Sequence, residues 1–267
     1  MKVDVARLLE DLAAEHAALD AMVAERTQAE WDSPTMAEGW TVADTIGHLN
    51  YFDGTALLSL TDPPAFIEAA QELLASGARG GFDVVLSRTL TSAQLLSRWR
   101  EGRADLLAAA AVADPTERVN WYGPPMSLAS FVTARLMETW AHGMDVADAF
   151  DLTPVVSSRL KHICHIGVGA RGYSYLVKGL ENPSDAVRVE LEAPDGSSWT
   201  WGESETDRVT GTALDFALVV THRRHVADTD LSVSGPIAEQ WLGIAQAFAG
   251  PSGSGREPGA RRLVQSS

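Results

Sequence analysis

The sequence predicts a mainly α protein with a small α+β part. A helical bundle is expected over residues 1–180, a small α+β domain over 181–250 and a disordered tail over 251–267. Three observations predict this order. Apolar residues recur at helical spacing through most of the first 180 positions. At Asn182-Pro183 the texture changes, and VRVELEAPDGSSWTW (187–201) alternates apolar and polar residues around a Pro-Asp-Gly turn, as a β-hairpin does. The last stretch, GPSGSGREPGARRLVQSS, is rich in Gly, Ser, Pro and Arg, a composition that cannot bury a core. No internal repeat is present.

Residues 3–25 place Val5, Leu8, Leu9, Leu12, Leu19 and Met22 on one helical face. WDSPTMAEGW (31–40) is a loop, marked by Ser-Pro and Gly. Thr41 then stands at an N-cap with Asp44 three residues on, a capping box with Asp in place of Glu. The helix it starts, Val42 to about Leu60, carries His48 and ends at Pro63-Pro64. A further helix is expected over 65–76, a flexible turn over Gly77–Gly81, and a long helix over Thr91–Val112 opened by Thr91 or Ser92 and closed by Asp114-Pro115. VNWYGPPMS (119–127) is a rigid loop feeding RLMETWAHGMDVADAF (135–150), a helix with Leu136, Trp140, Met144 and Ala147 on one stripe. Residues 157–178 continue as a helix weakened by Gly167, Gly169 and Gly172. After the hairpin come a helix at about Thr212–Arg224, a short strand near Leu231–Val233 and a helix over Ala238–Ala249.

Of the 267 residues, 36 are acidic and 21 basic, for a net charge of −15. That argues against nucleic acid as a partner, since such proteins present a basic face. No apolar run of about 18 residues occurs, so no transmembrane helix is expected, and the acids in MKVDVARLLEDLAAEH do not fit a signal peptide. The single cysteine, Cys164, cannot form an internal disulfide, which fits a cytoplasmic protein.

The chemistry concentrates in three places. Glu138 and His142, four residues apart, share one helical face and could close on a single divalent ion. Alone, such a pair also reads as a surface hydrogen-bonded pair, and His48 alone reads as an ordinary helix histidine. Together they form a three-ligand set on two helices, and facing helices of bundles build metal sites in this way. Three protein ligands leave an open position, the arrangement of catalytic zinc, while a mixed nitrogen–oxygen set also suits nickel, iron or manganese. Asp53 and Asp145 flank these ligands, and either could orient an imidazole or be a plain surface acid. His162, Cys164 and His165 form a rival cluster in which Cys164 reads as core. His222 and His225 beside Arg223 and Arg224 read as groups complementing a helix C-terminus, or as an anion site. Gly167-Val168-Gly169-Ala170-Arg171-Gly172 matches a dinucleotide fingerprint literally, but no strand precedes it, so its small residues read as close helix packing.

WTVADTIGHLNYFD (40–53) and METWAHGMDVADAF (137–150) resemble the two signature segments of the DinB-like superfamily, most closely its mycothiol-dependent maleylpyruvate isomerase branch. APDGSSWTWG, VTGTALDFALVVTHRRH and AEQWLGIAQAFAG also resemble an actinobacterial subgroup known only as metal-binding proteins. The resemblance implies a DinB-like four-helix bundle followed by a C-terminal sterol-carrier-like α/β domain, with the metal triad on His48, Glu138 and His142. It implies a divalent metal, zinc first among the candidates, with mycothiol as a cosubstrate and a small electrophilic substrate. The expected activity is thiol transfer or isomerisation. A thiol-independent hydrolase, isomerase or cyclase and a non-catalytic, metal-stabilised ligand-binding protein stay open. Trp121 and Tyr122 are candidates to line the pocket, and Arg171, Arg223 and Tyr122 are the candidate catalytic groups; the arginines could hold a substrate carboxylate, but an ordinary surface role is the first reading for both. No nucleic-acid or membrane partner is expected, and a homodimer through a helix face is an open expectation.

Overall fold

Helix starts in the first part of the chain are set by side chains that satisfy the free N–H groups of the first turn. Thr41 Oγ1 accepts from Asp44 N at 3.1 Å while Asp44 Oδ2 accepts from Thr41 N at 3.2 Å. Thr91 and Gln94 repeat the device, and Asp62 caps a helix whose first residue is Pro63, where a missing N–H costs nothing. The computed structural model describes residues 4–77, 81–250, 253 and 255–260. It divides the chain into two units, Met1–Leu152 and Thr153–Ser267.

The first unit contains α1 (Val5–Val23), α2 (Gln28–Trp31), α3 (Val42–Thr61), α4 (Pro63–Ala75), α5 (Ser92–Val112) and α6 (Leu128–Ala149). The four long helices form a bundle, α1 and α3 each packing against α5 and α6. Its core joins Leu19 and Val23 of α1, Trp31 of α2, Ile46 and Leu49 of α3, Leu95 and Trp99 of α5, and Val146 of α6, all at 1% exposure or less. The expected rigid loop at 119–127 is a short hairpin, β1 (Arg118–Val119) with β2 (Met126–Ser127), leading directly into α6. Residues 78–80 of the expected Gly77–Gly81 turn lie outside the described residues.

The second unit contains α7 (Leu160–Gly169), α8 (Arg171–Val177), β3 (Arg188–Glu192), β4 (Ser198–Trp201), β5 (Arg208–Thr212), α9 (Ala213–Val220), β6 (Ser232–Ser234) and α10 (Pro236–Leu242). Its sheet runs β4-β3-β5-β6, with β3 and β5 parallel and both outer pairs antiparallel. The Pro-Asp-Gly hairpin forms as expected, with Gly196 in the left-handed region at φ 79°. β5, the central parallel strand, is an addition to the expected elements. The helices over 212–224 and 238–249 are shorter than expected, the first ending before His222 at φ 62°.

The boundary differs from the expected residue 180. The helical stretch 157–178 divides at Ala170 into α7 and α8, and both fall in the second unit. The reason is packing. A Cβ on Gly167 would stand 2.7 Å from Val220 Cγ2, so only glycine lets α7 approach α9 this closely. Of the three glycines of the G-x-G-x-x-G stretch, Gly167 is thus the one that serves helix packing, while Gly169 faces open space. Of the expected disordered tail, residues 251, 252, 254 and 261–267 lie outside the described residues. Within the described part, Gly259 N donates to the Asp228 carboxylate at 2.7 Å. No helix among the described residues is long and apolar enough to cross a membrane.

Candidate metal centre

The two helices that carry the expected ligands belong to the first unit, and the fold brings those ligands together. His48 on α3 and Glu138 and His142 on α6 each offer a donor atom, and these atoms lie within 4.8 Å of one another. His142 Nε2 and Glu138 Oε2 are already 3.6 Å apart. Donors around a tetrahedral zinc stand about 3.3 Å apart, so side-chain rotation of an ångström or so closes the set. The donor chemistry, two imidazoles and a carboxylate, fits a divalent ion with positions left over.

Each imidazole is turned by a carboxylate. His142 Nδ1 lies 3.1 Å from Asp145 Oδ2, one turn along the same helix, which is one of the two roles open to Asp145 in the sequence. His48 Nδ1 lies 2.6 Å from Asp83 Oδ2. A carboxylate accepts, so Nδ1 carries the proton in both rings and Nε2 is the nitrogen presented to a metal. Burial pushes the His48 pKa below its ordinary value, the Asp83 hydrogen bond opposes this, and the neighbouring His142 adds to the fall. The ring is therefore held in the neutral form that ligates metals. Burial would raise the Glu138 carboxyl, but the adjoining His142, with His48 and Arg135 beyond it, holds it down at about 2. Glu138 is the ionised member of the candidate set.

Asp83 has no anticipating signal in the sequence. It sits in a 3-10 turn, Phe82–Val84, 35 residues from His48. The turn reaches α3 because Gly47, beside His48, has no side chain: a Cβ there would meet Ser87 Cβ at 2.5 Å. The segment is pinned one helical turn away, where Ser87 Oγ and Arg88 Nε donate to Asp44 Oδ1 at 2.9 and 3.0 Å. Asp44, the capping-box partner of Thr41, therefore also anchors the loop that orients His48.

Asp53 does not orient either imidazole of the triad. It is fully buried and accepts from Arg135 Nη2 at 2.8 Å and from Trp99 Nε1 at 3.2 Å. Asp53 points into the bundle because it lies five residues beyond His48, on another side of α3. Its partner Arg135 is one turn before Glu138 and contributes to keeping that carboxyl ionised. His16 of α1 joins the same interior, 2% exposed, its Nε2 4.0 Å from Asp53 Oδ2 and neither ring nitrogen hydrogen-bonded. Burial lowers its pKa to about 4, against the raising effect of Asp53.

Aromatic rings surround the imidazoles. Trp40, the residue before the Thr41 cap, has its ring centroid 5.1 Å from His48 and 6.0 Å from His142, and Phe52 is 4.7 Å from His48. Phe52 continues to Phe82, Trp121 and Tyr122 at 6.5, 6.3 and 5.9 Å. Tyr122 and Trp121, expected near the pocket, thus join a ring cluster one residue removed from the triad.

The other candidates are used within the second unit. Arg171 donates to the carbonyls of Asp185 and Pro183 at 2.8 and 3.0 Å, fastening the chain ahead of β3. Arg223 Nη1 donates to Thr221 O at 2.7 Å, and His222 Nε2 to Ala245 O at 2.8 Å. Cys164 is fully buried, donates to Ala213 O at 3.5 Å, and burial pushes its thiol well up. His165 Nδ1 accepts from Trp201 Nε1 at 3.2 Å. The cluster His162–Cys164–His165 does not gather into a ligand set.

The sequence profile described as "Mycothiol maleylpyruvate isomerase N-terminal domain" matches residues 12–147, which span the bundle and all three candidate ligands. The chain belongs to this mycothiol maleylpyruvate isomerase family. The DinB-like resemblance of the two signature segments is borne out with it. The chain is 44% identical over 248 residues to the uncharacterized proteins Rv0036c and MT0041 of Mycobacterium tuberculosis, strains H37Rv and CDC 1551, covering 92% of this chain and 96% of theirs. Crystal structures of the mycothiol-dependent maleylpyruvate isomerase superpose with a TM-score of 0.55 at 15% identity, covering 87% of this chain and 93% of that one; its alanine mutant covers 83% and 90%. At that identity the superposition carries the fold: a helical first domain followed by a small α/β one.

Proposed function

We propose that this family member is a divalent-metal-dependent enzyme that uses a small thiol of the mycothiol type to transfer onto, or isomerise, a small electrophilic substrate. His48, Glu138 and His142 would hold the metal. The observation that carries the reading is the convergence of three donors from two helices, each imidazole backed by its own carboxylate. A divalent ion bound there would stabilise a thiolate at neutral pH, a nucleophile that a free thiol supplies only in small proportion.

The chain's own residues supply the rest. Asp83 and Asp145 would fix the tautomer and the plane of the two imidazoles, so that only a small side-chain rotation closes the set. Glu138 stays ionised and supplies the negative charge of the ligand set. The thiol comes from outside: the chain's one cysteine is fully buried and its thiol is pushed up, so it offers no thiolate. The family and the relatives' fold support the thiol, since the matching profile and the superposed enzyme are both named for mycothiol.

The test is a calorimetric titration of zinc-loaded protein with mycothiol and with glutathione, at two pH values. The reading expects binding near one thiol per chain with release of a proton, lost in metal-free protein. Zinc-loaded protein that binds neither thiol would contradict it and favour the thiol-independent reading.

A further inference from the structure

The rings around the triad are placed unlike most other aromatic side chains of the bundle, Phe150, half-buried against Arg26, being the exception. Trp31, Trp99, Trp140 and Phe131 are 2% exposed or less and form core. Trp40, Tyr51, Phe52, Phe82, Trp121 and Tyr122 are only half-buried. They come from four separate segments: the loop before α3, α3 itself, the Phe82–Val84 turn and the β1–β2 connection. Folding that merely buried apolar area would draw such rings inward, where each contributes about 2 kcal/mol or more. Instead Trp40 stands against His48 and His142 and Phe52 against His48, and Tyr51, Phe82, Trp121 and Tyr122 extend outward from Phe52.

The charges nearby are unsuited to a substrate with several carboxylates. The groups bonded to the triad are themselves acids, Asp83 and Asp145. The arginines that flank it on α6 and on the 81–88 segment, Arg135 and Arg88, are held by Asp53 and Asp44. Ring faces are apolar with a negative centre, which favours other planar rings in offset or edge contact.

From this arrangement we infer that the electrophile handled beside His48, Glu138 and His142 carries an aromatic group, seated between Trp40 and the Phe52 ring cluster. This rests on the metal reading above and names its substrate class.

The test compares two probes that grip a metal identically and differ only in phenyl against methyl: benzohydroxamate and acetohydroxamate. Both are titrated into zinc-loaded wild type, Trp40→Ala and Phe52→Leu, with zinc content measured in each sample and thermal unfolding as a check on folding. The expected result is benzohydroxamate binding at least tenfold tighter than acetohydroxamate to wild type. That preference should fall to about threefold or less in both variants, at unchanged zinc content. Wild type that holds one zinc and binds the two probes within twofold overturns the aromatic subsite and leaves the metal reading standing. Wild type that takes up no zinc and binds neither probe overturns both.

Discussion

Two stretches of this chain put histidines at helical spacing beside other ligand-type residues, and the fold treats them in opposite ways. On α6, Glu138 and His142 meet His48 from another helix, and each imidazole is held by a carboxylate. On α7, Cys164 turns into the core of its unit while His165 engages Trp201. Spacing within one helix is therefore a poor guide. What distinguishes the first stretch is a donor arriving from a second element, and acids placed behind the donors. A metal site is a property of packing between helices, and one helix read alone shows only half of it.

The comparison can be broken most strongly at the interior behind the triad. Asp53→Ala leaves Arg135 buried and unpaired, and should destabilise the first unit by about 3–5 kcal/mol in urea unfolding. His162→Ala should stay within about 0.5 kcal/mol of wild type, because His162 is only half-buried. Equal losses would remove the contrast.

Next in size is a pH effect from His16. Its pKa is about 4 when folded against 6.5 ordinarily. Between those values the unfolded chain binds a proton that the folded chain does not, so stability present above pH 6.5 is lost as pH falls towards 4. The loss should reach roughly 3 kcal/mol. His16→Leu should flatten that slope in unfolding curves measured from pH 7 to pH 4.5, and an unchanged slope would assign it elsewhere.

Smaller again, Asp83→Asn and Asp145→Asn should each weaken zinc binding about 10–100-fold while leaving helix content intact. Cys164→Ser should leave zinc binding unchanged, which separates a core thiol from a ligand. Smallest, Thr41→Ala removes the cap of α3 and should cost about 1 kcal/mol by thermal unfolding.

Much of this was legible in the sequence, and particular residues show why. The Thr41–Asp44 box and the Glu138/His142/Asp145 spacing are local, so helical geometry alone places them. Asp83 is not local: its partner is 35 residues away, and the turn that presents it fits only because Gly47 leaves room. Asp53 lies close to His48 in sequence but on another side of α3, which proximity along the chain does not reveal. β5 has the short sequence RVTGT, with Gly211 at φ 146°, and little in it marks a central strand. The boundary was displaced because α7 and α8 carry the same helical period as the bundle, and periodicity does not say which core a helix joins.

The central claim is that His48, Glu138 and His142 act as one ligand set. It is tested most directly by elemental analysis and competitive zinc titration of untagged wild type, His48→Ala, His142→Ala and a His162→Ala/His165→Ala double variant. The account predicts one zinc per chain in wild type and in the double variant, and loss of that zinc in both single variants. Full zinc occupancy in His48→Ala and His142→Ala, or its loss in the double variant, would contradict it.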